Sequence, residues 1–212
     1  MSIKITYKLL ALAFIYLVFL FVSLLQDVIM SDTLMAADQR IANLLMIFRN
    51  AQLTRFFLYI TLLGKWQVVL IFVIAALGIL WWRRKSVYIA PLLFTIAGSE
   101  TFVWLLKNIF QRARPTTAVY PEHSFSFPSG HAAIALAFYG FLTYILVRQT
   151  KHWAARVTLF LAGIIIILLI GFSRLYLGVH YLSDVWGGYL IGALWLIVGI
   201  SISTWLYPKK GT

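Results

Sequence analysis

The fold class is decided by residues 157–173, which read VTLFLAGIIIILLIGFS and contain no charged side chain. A helix that crosses a bilayer core takes about 20 mostly apolar residues, and this stretch nearly has that length. Five further stretches have the same character, namely residues 9–26, 66–82, 86–106, 132–147 and 185–208. Of these, only 86–106 contains a charged residue, Glu100. The pattern predicts an all-α polytopic membrane protein, a bundle of six transmembrane helices.

The composition agrees with this prediction. Of the 212 residues, 62% are hydrophobic and 11% are charged, whereas soluble domains carry about 25% charged residues. Six spans leave room only for short loops, so we expect a single membrane-embedded domain over residues 1–212. The first apolar stretch lacks a small-x-small cleavage site, and we interpret it as a retained helix rather than a signal peptide.

Charge is distributed unequally between the two sides of the predicted spans. One side carries no Asp or Glu and collects Lys4, Lys8, Arg83, Arg84, Lys85, Arg148, Lys151, Arg156, Lys209 and Lys210. The other side carries the acidic residues Asp27, Asp32, Asp38, Glu122 and Asp184. The positive-inside rule then predicts an inner-membrane protein with both termini in the cytoplasm. The net charge of +12 lies at the ends of the spans, which favours contact with the lipid bilayer over a nucleic-acid partner.

The longest predicted connection is residues 27–65. Within it, Ile41, Leu44, Leu45 and Phe48 recur at helical spacing. This pattern predicts an amphipathic helix that lies either on the outer membrane surface or over the helical bundle.

Polar residues gather at the outer ends of the third to sixth predicted spans, in three groups. The first is residues 107–115, KNIFQRARP, in which Lys107 and Arg114 are seven positions apart. On a continuous helix they share nearly one face, and Pro115 predicts that the helix ends at Arg114. Taken alone, two such cations are also typical of side chains that reach from a helix end to the membrane interface.

The second group is residues 127–131, FPSGH, directly before an apolar span. The free amides of a helix N-terminus bind anions, and Gly130 allows close approach of a ligand to the backbone. Ser129 and His131 would flank that anion. The alternative is a helix cap with an incidental histidine.

The third group comprises Ser173 and Arg174, followed by His180 and Asp184. A carboxylate four residues from an imidazole on a helix can fix its tautomer. The same pair can ligate a metal ion. The three nearby cations would repel a divalent ion and attract a phosphate, so we expect no metal and no other cofactor.

In order, these groups give Lys-x6-Arg-Pro, Pro-Ser-Gly-His and Ser-Arg-x5-His-x3-Asp between residues 107 and 184. This arrangement resembles, at every position, the signature of the type-2 phosphatidic acid phosphatase and vanadium haloperoxidase superfamily. The size and six-span layout resemble the bacterial membrane lipid phosphatase branch of that superfamily. This resemblance implies an active site at the outer ends of helices 3 to 6, on the periplasmic or extracellular side, and a metal-independent hydrolase that acts on a lipid phosphate.

The resemblance also implies a role for each matched residue. His180 would attack phosphorus to form a phosphohistidine, Asp184 would orient it, and His131 would protonate the leaving oxygen and then activate water. The expected phosphate-binding residues are Lys107, Arg114, Ser129, Gly130, Ser173 and Arg174. Candidate substrates are undecaprenyl pyrophosphate, phosphatidylglycerophosphate, phosphatidate and the lipid A phosphates.

Two other functions are compatible with the sequence. A lipid-to-lipid phosphotransferase would use the same residues, and a lipid-binding or transport protein would keep the pocket without the chemistry. A haloperoxidase shares the site, but those relatives are soluble and larger.

Four polar residues lie outside the signature. For Glu100, inside a span, we expect a structural hydrogen bond or ion pair, with a functional role as the alternative. Arg112 and His123 are expected to be solvated loop residues, although both lie near enough to touch a headgroup. His152 is expected on the cytoplasmic surface.

Overall fold

The computed structural model describes residues 3–206, and these residues form helices without any strand. The first half contains α1 (Ile3–Met30), α2 (Asp32–Ile47), α3 (Ala51–Leu62) and α4 (Trp66–Trp82). The second half contains α5 (Ile89–Phe110), α6 (Gly130–Ile134), α7 (Gly140–Gln149), α8 (Trp153–Tyr176) and α9 (Leu182–Leu206). A short 3₁₀ turn, Ser86–Tyr88, precedes α5, and the π-helical segment Ala135–Tyr139 joins α6 to α7.

The described residues confirm an all-α membrane protein. Five helical segments are long and apolar enough to cross a bilayer, and they are Tyr7–Met30, Ser86–Phe110, Gly130–Gln149, Trp153–Tyr176 and Leu182–Leu206. A sixth is reached when α3 and α4, which meet at a bend of 48°, are counted as one span. Position 208, where the last predicted span ends, lies outside the described residues, as do Lys209 and Lys210.

The predicted connection at residues 27–65 holds two helices. Each begins at a residue whose side chain caps it: Ser31 Oγ accepts a hydrogen bond from the Leu34 amide at 3.1 Å, and Asn50 Oδ1 accepts one from the Leu53 amide at 2.9 Å. Such caps satisfy backbone donors that the first helical turn leaves free. Helix α2 agrees with the predicted amphipathic helix, whereas α3 was not predicted.

Helix α2 packs over α8 and α9 and also keeps an exposed apolar side. Asp38 and Ala42 are buried at the contact, while Ile47 is 74% exposed and Phe48 63% exposed. The predicted apolar face is therefore divided, with Leu45 half-buried towards the bundle and Phe48 turned outward. The arrangement combines both predicted positions, over the bundle and available to an interface.

Two glycines of α9 let its backbone lie directly against α6. A Cβ atom at Gly188 would fall 2.3 Å from the carbonyl oxygen of Ser129, and one at Gly192 would fall 2.6 Å from that of Ala133. Small residues at such a crossing permit close backbone packing between membrane helices. This contact, together with the hydrogen bond from the Ser129 amide to the Asp184 carbonyl at 2.9 Å, fixes the second motif against the third.

The prediction that α5 continues to Arg114 is wrong. The helix ends at Phe110, and Gln111 follows in the left-handed conformation with φ of 45°. The chain then runs in irregular backbone to α6, so Lys107 and Arg114 do not share a helical face. They meet in the same cavity because the loop after Gln111 folds back over the bundle.

Candidate active site

The predicted site residues surround one cavity of about 400 Å³ at one end of α5, α6 and α8. Its lining includes Lys107, Arg114, Gly130, His131, Arg174 and His180. The remaining lining residues are Gly64, Trp66, Glu100, Val103, Trp104, Glu122, Ser124 and Ile134. Three residues of the second and third motifs, Ser129, Ser173 and Asp184, lie behind this lining and are fully buried.

His180 lies just before α9, between a carboxylate and a guanidinium. Its Nδ1 is 3.3 Å from Asp184 Oδ2, and its Nε2 is 3.2 Å from Arg114 Nη1. An arginine only donates hydrogen bonds, so Nε2 must be the acceptor and the proton lies on Nδ1. The imidazole therefore carries its in-plane lone pair on Nε2, where it accepts the hydrogen bond from Arg114 at the edge of the cavity.

The surroundings of His180 also keep the ring neutral. Burial lowers the pKa of His180 well below its usual value of 6.5, and the positive charges of Arg174, Arg114 and Lys107 lower it further. A neutral imidazole whose Nδ1 proton faces a carboxylate is the form of histidine that acts as a nucleophile or base.

Asp184 is held in the first turn of α9 with no exposed surface. Its Oδ2 accepts a hydrogen bond from the Tyr181 amide at 2.8 Å in addition to that from His180. Its Oδ1 accepts one from Arg112 Nη1 at 2.7 Å. The predicted His180 and Asp184 contact is present, although His180 precedes the helix rather than lying on it.

Arg114 is fixed by the loop that follows it. Its Nε donates to the Ser124 carbonyl at 2.7 Å, its Nη2 donates to Ser124 Oγ at 2.9 Å, and its Nη1 donates to the Val179 carbonyl at 2.6 Å. The guanidinium is thereby aligned beside His180 Nε2. Lys107 Nζ donates to the Phe125 carbonyl, which also accepts a hydrogen bond from Arg114 Nη2 at 3.3 Å.

Arg174 is 1% exposed and lies in the last turn of α8. Its Nη1 donates to Thr61 Oγ1 at 2.7 Å and to the Tyr120 hydroxyl at 2.6 Å, and its Nη2 pairs with Glu122 Oε1 at 2.6 Å. A guanidinium has five N–H donors. These contacts use three of them, and Nε is buried without a hydrogen-bond partner among residues 3–206.

His131 lies in the first turn of α6 and faces the cavity beside the bend between α3 and α4. A Cβ atom placed on Gly64 would lie 3.0 Å from His131 Cδ2 and 2.7 Å from Ile170 Cγ2. A side chain at position 64 would require Ile170 and His131 to shift, so the glycine permits the close approach of this bend to the imidazole.

The two predicted serines differ in their contacts. Ser173 Oγ donates to the Ile170 carbonyl within α8 at 2.6 Å. Ser129 Oγ is buried without a hydrogen-bond partner in the described part of the chain.

The expectation of a solvated role for Arg112 is wrong. Arg112 is 9% exposed and pairs with Asp38 Oδ2 at 2.9 Å as well as with Asp184. No local pattern reveals this contact, because its partners lie 74 and 72 residues away along the chain. The two opposite charges outweigh the burial of the guanidinium and raise the pKa of Arg112.

Glu122, the carboxylate that pairs with Arg174, was also missed, since it lies in a loop outside every motif. Glu100 lines the cavity, and its Oε1 is buried without a hydrogen-bond partner among residues 3–206. This atom therefore does not support the expected structural hydrogen bond or ion pair of Glu100. His123 and His152 are exposed, as expected. Within the described residues, no three His, Asp or Glu side chains are placed to share a metal ion.

Comparison with known proteins assigns this architecture. The model of the PAP2 superfamily matches residues 88–208. Phosphatidylglycerophosphatase B of Bacillus subtilis is 33% identical over 183 residues, which cover 83% of this chain and 88% of that protein. An undecaprenyl-diphosphatase of Sulfolobus acidocaldarius is 32% identical over 96 residues, or 45% of this chain and 42% of that one.

A solved structure gives the same result for the fold. The crystal structure of a transmembrane PAP2-type phosphatidylglycerolphosphate phosphatase from Bacillus subtilis superposes with a TM-score of 0.86 at 26% identity. The superposition covers 93% of this chain and 98% of that one.

Proposed function

This chain belongs to the PAP2 superfamily and is a membrane phosphatase that hydrolyses lipid phosphates, and we propose that His180 is its nucleophile. The observation that carries the proposal is the position of His180 Nε2, which lies 3.2 Å from the donor Arg114 Nη1 beside a cavity lined by Lys107, Arg114 and Arg174. All three cations line the same cavity as His180, which supports binding of a phosphoryl group there.

The proposed reaction has two steps. In the first, His180 Nε2 forms a bond to phosphorus while the bond from phosphorus to the lipid oxygen breaks, and His131 gives that oxygen a proton. In the second, water attacks the phosphohistidine and gives a proton to His131. The phosphorus–nitrogen bond then breaks, which releases phosphate and restores His180.

The fixed cations supply stabilisation where charge accumulates on the phosphoryl oxygens. Arg114 Nη1 lies within hydrogen-bond distance of the attacking nitrogen, so it is in place to follow the phosphoryl group as the new bond forms. Arg174 Nε has no hydrogen-bond partner among residues 3–206 and can donate to a phosphoryl oxygen, while Thr61 and Tyr120 hold its Nη1. Asp184 fixes the tautomer of His180 and offsets the charge that develops on the imidazole.

We take phosphatidylglycerophosphate as the first candidate substrate, supported by the identity to the Bacillus subtilis phosphatase over most of both chains. A polyprenyl diphosphate is the second, supported by the shorter match to the undecaprenyl-diphosphatase. Trp66 and Trp104 line the cavity and are 62% and 64% exposed. Trp66 begins α4 and Trp104 lies on α5, so we propose that a lipid presents its headgroup between these two helices while its chains stay in the bilayer.

The direct test is phosphate release by the purified protein from a panel of lipid phosphates in the presence of EDTA. The panel contains phosphatidylglycerophosphate, phosphatidate and undecaprenyl diphosphate. We expect release by the native chain, none by His180→Asn, and unchanged release by the exposed control His152→Asn. Activity that requires an added divalent metal would contradict the mechanism, and a labelled acceptor lipid in place of free phosphate would identify a phosphotransferase.

We also propose that both termini are cytoplasmic and that the cavity opens to the opposite side, supported by the charge asymmetry of the loops. The chain contains no cysteine, so single cysteines report sidedness cleanly. His123→Cys should react with a membrane-impermeant maleimide in intact cells. His152→Cys should react only after permeabilisation, and the reverse pattern would overturn the orientation.

A further inference from the structure

Arg112 connects the carboxylate behind His180 to a helix that packs on the outside of the bundle. Its Nη1 donates to Asp184 Oδ1 and to Ser183 Oγ, both at 2.7 Å, and its Nη2 donates to Asp38 Oδ2 at 2.9 Å. All three charged side chains are nearly or fully buried. The guanidinium also lies 4.6 Å above the ring of Tyr181.

Asp38 is the buried carboxylate of α2, and its side chain is 2% exposed. The Ser183 amide donates to its Oδ1 at 3.1 Å, and Ser183 Oγ donates to its Oδ2. Asp38 is thus bonded both to Arg112 and to the start of α9. These contacts form a continuous chain of charges from α2 to His180.

Burial of separate charges costs several kcal/mol per ion, so such a chain is a poor way to gain stability alone. Its geometry indicates a different use. Arg112 engages Oδ1 of Asp184, which leaves Oδ2 for the Tyr181 amide and the Nδ1 proton of His180. The carboxylate therefore cannot rotate without losing a short ionic contact.

We propose that Arg112 is a positioning residue that holds Asp184 against His180, and that Asp38 of α2 in turn holds Arg112. The inference rests on the proposed function, because it assigns Arg112 and Asp38 a task only if His180 is the nucleophile. It also gives α2 a part in the reaction, because this helix carries Asp38, which holds Arg112 in position.

The same chain of charges affects the proton affinity of His180. That imidazole is faced by Lys107 of α5, Arg114 of the following loop, His131 of α6, Arg174 of α8 and Asp184 of α9. Loss of the Arg112 charge would leave two carboxylates unpaired behind the ring, which raises the pKa of His180. Loss of the Asp38 charge would leave Arg112 in excess and lower it.

The test compares Arg112→Met, Arg112→Lys, Asp38→Asn and the double variant Asp38→Asn/Arg112→Met. For Arg112→Met we expect kcat to fall about 10- to 100-fold, by analogy with the loss of an outer partner that orients a metal ligand. KM should change little, since the cavity cations remain. The acidic limb of kcat/KM is the pH range in which this ratio falls as the pH decreases. The limb should move to higher pH in Arg112→Met and to lower pH in Asp38→Asn, in line with the changes in the pKa of His180.

The remaining variants distinguish the positioning of Asp184 from the effect of the nearby charges on the pKa of His180. In the double variant the limb should return towards that of the native protein while kcat stays low, because one unpaired carboxylate is gone but Asp184 still lacks its partner. Arg112→Lys should keep the native limb with an intermediate kcat, because an ammonium lacks the fork that reaches both carboxylates. Arg40→Met, an exposed position on α2, is the matched control and should behave as the native protein.

A purely structural role predicts kcat losses that follow the folded fraction, with an unmoved limb in every variant, and this result would overturn the inference. If Arg112→Met does not fold, Asp38→Asn and Arg112→Lys decide: native kcat and native limb in both would equally overturn it. Phosphoenzyme formation by the native protein is measured in parallel. If the native protein forms no phosphoenzyme, both the proposed function and this inference are contradicted. If the phosphoenzyme forms but the variants behave as the native protein, only the inference is contradicted.

Discussion

Replacement of Asp184 by asparagine should nearly abolish turnover without loss of substrate binding. Asp184 accepts from Arg112 on one oxygen, and from Tyr181 and His180 on the other. An asparagine has only one acceptor oxygen. If that oxygen faces Arg112, the amide nitrogen points at the Tyr181 amide and donates to His180 Nδ1, which moves the imidazole proton to Nε2.

The opposite orientation of the amide places its nitrogen 2.7 Å from the Arg112 donor, so either orientation sets two donors against each other. The first removes the nucleophilic lone pair, and the second displaces Arg112. We expect kcat to fall about 10⁴-fold, as for loss of the carboxylate behind a catalytic histidine elsewhere. That factor corresponds to about 5 kcal/mol of transition-state stabilisation.

The assay is phosphate release under saturating lipid, with KM and the folded fraction measured for each variant. Asp27→Asn, an exposed position at the end of α1, is the matched control. A kcat within tenfold of the native value, or a loss that appears only in KM, would refute the role given to Asp184.

Three further predictions concern other parts of the cavity. The acidic limb of kcat/KM should lie below pH 6.5. Burial and three cations lower the pKa of His180, so its ring stays neutral as the pH falls. A limb at or above pH 6.5 would contradict this prediction. Gly64→Ala should reduce kcat through displacement of His131, from which the new Cβ would lie 3.0 Å, whereas Gly78→Ala, which meets nothing within 4 Å, should not. Glu122→Gln should strengthen inhibition by inorganic phosphate, because the Glu122 carboxylate competes with phosphate for Arg174. The expected change is about fivefold, the scale of a partly exposed ion pair. Weaker inhibition would contradict this prediction and would mean that Glu122 orders that arginine instead.

The sequence was sufficient for the features that depend on local pattern. The apolar stretches predicted the spans because their length and lack of charge leave no other fold. Helix α3 was missed because it is only 12 residues long and contains Arg55, so neither its length nor its composition indicates a span. The bend between α3 and α4 involves a tertiary contact between Gly64 and His131, which the sequence alone does not show.

For the site, six of the nine predicted residues line one cavity, although the reasoning for one pair was wrong. Lys107 and Arg114 meet through a loop, since Gln111 adopts a left-handed conformation that no residue type at that position announces. Arg112 and Glu122 escaped prediction for a related reason. Their partners are brought close by tertiary folding, and a charged residue in a loop ordinarily indicates solvent exposure.

The most direct test of the central claim is to trap the covalent intermediate and locate it. The native protein is mixed with a lipid phosphate, quenched within one turnover at alkaline pH, digested and analysed by mass spectrometry. We predict one added phosphoryl group on His180, absent in His180→Asn and prolonged in His131→Asn. A phosphoryl group on another residue, or turnover by His180→Asn at the native rate, would contradict the mechanism.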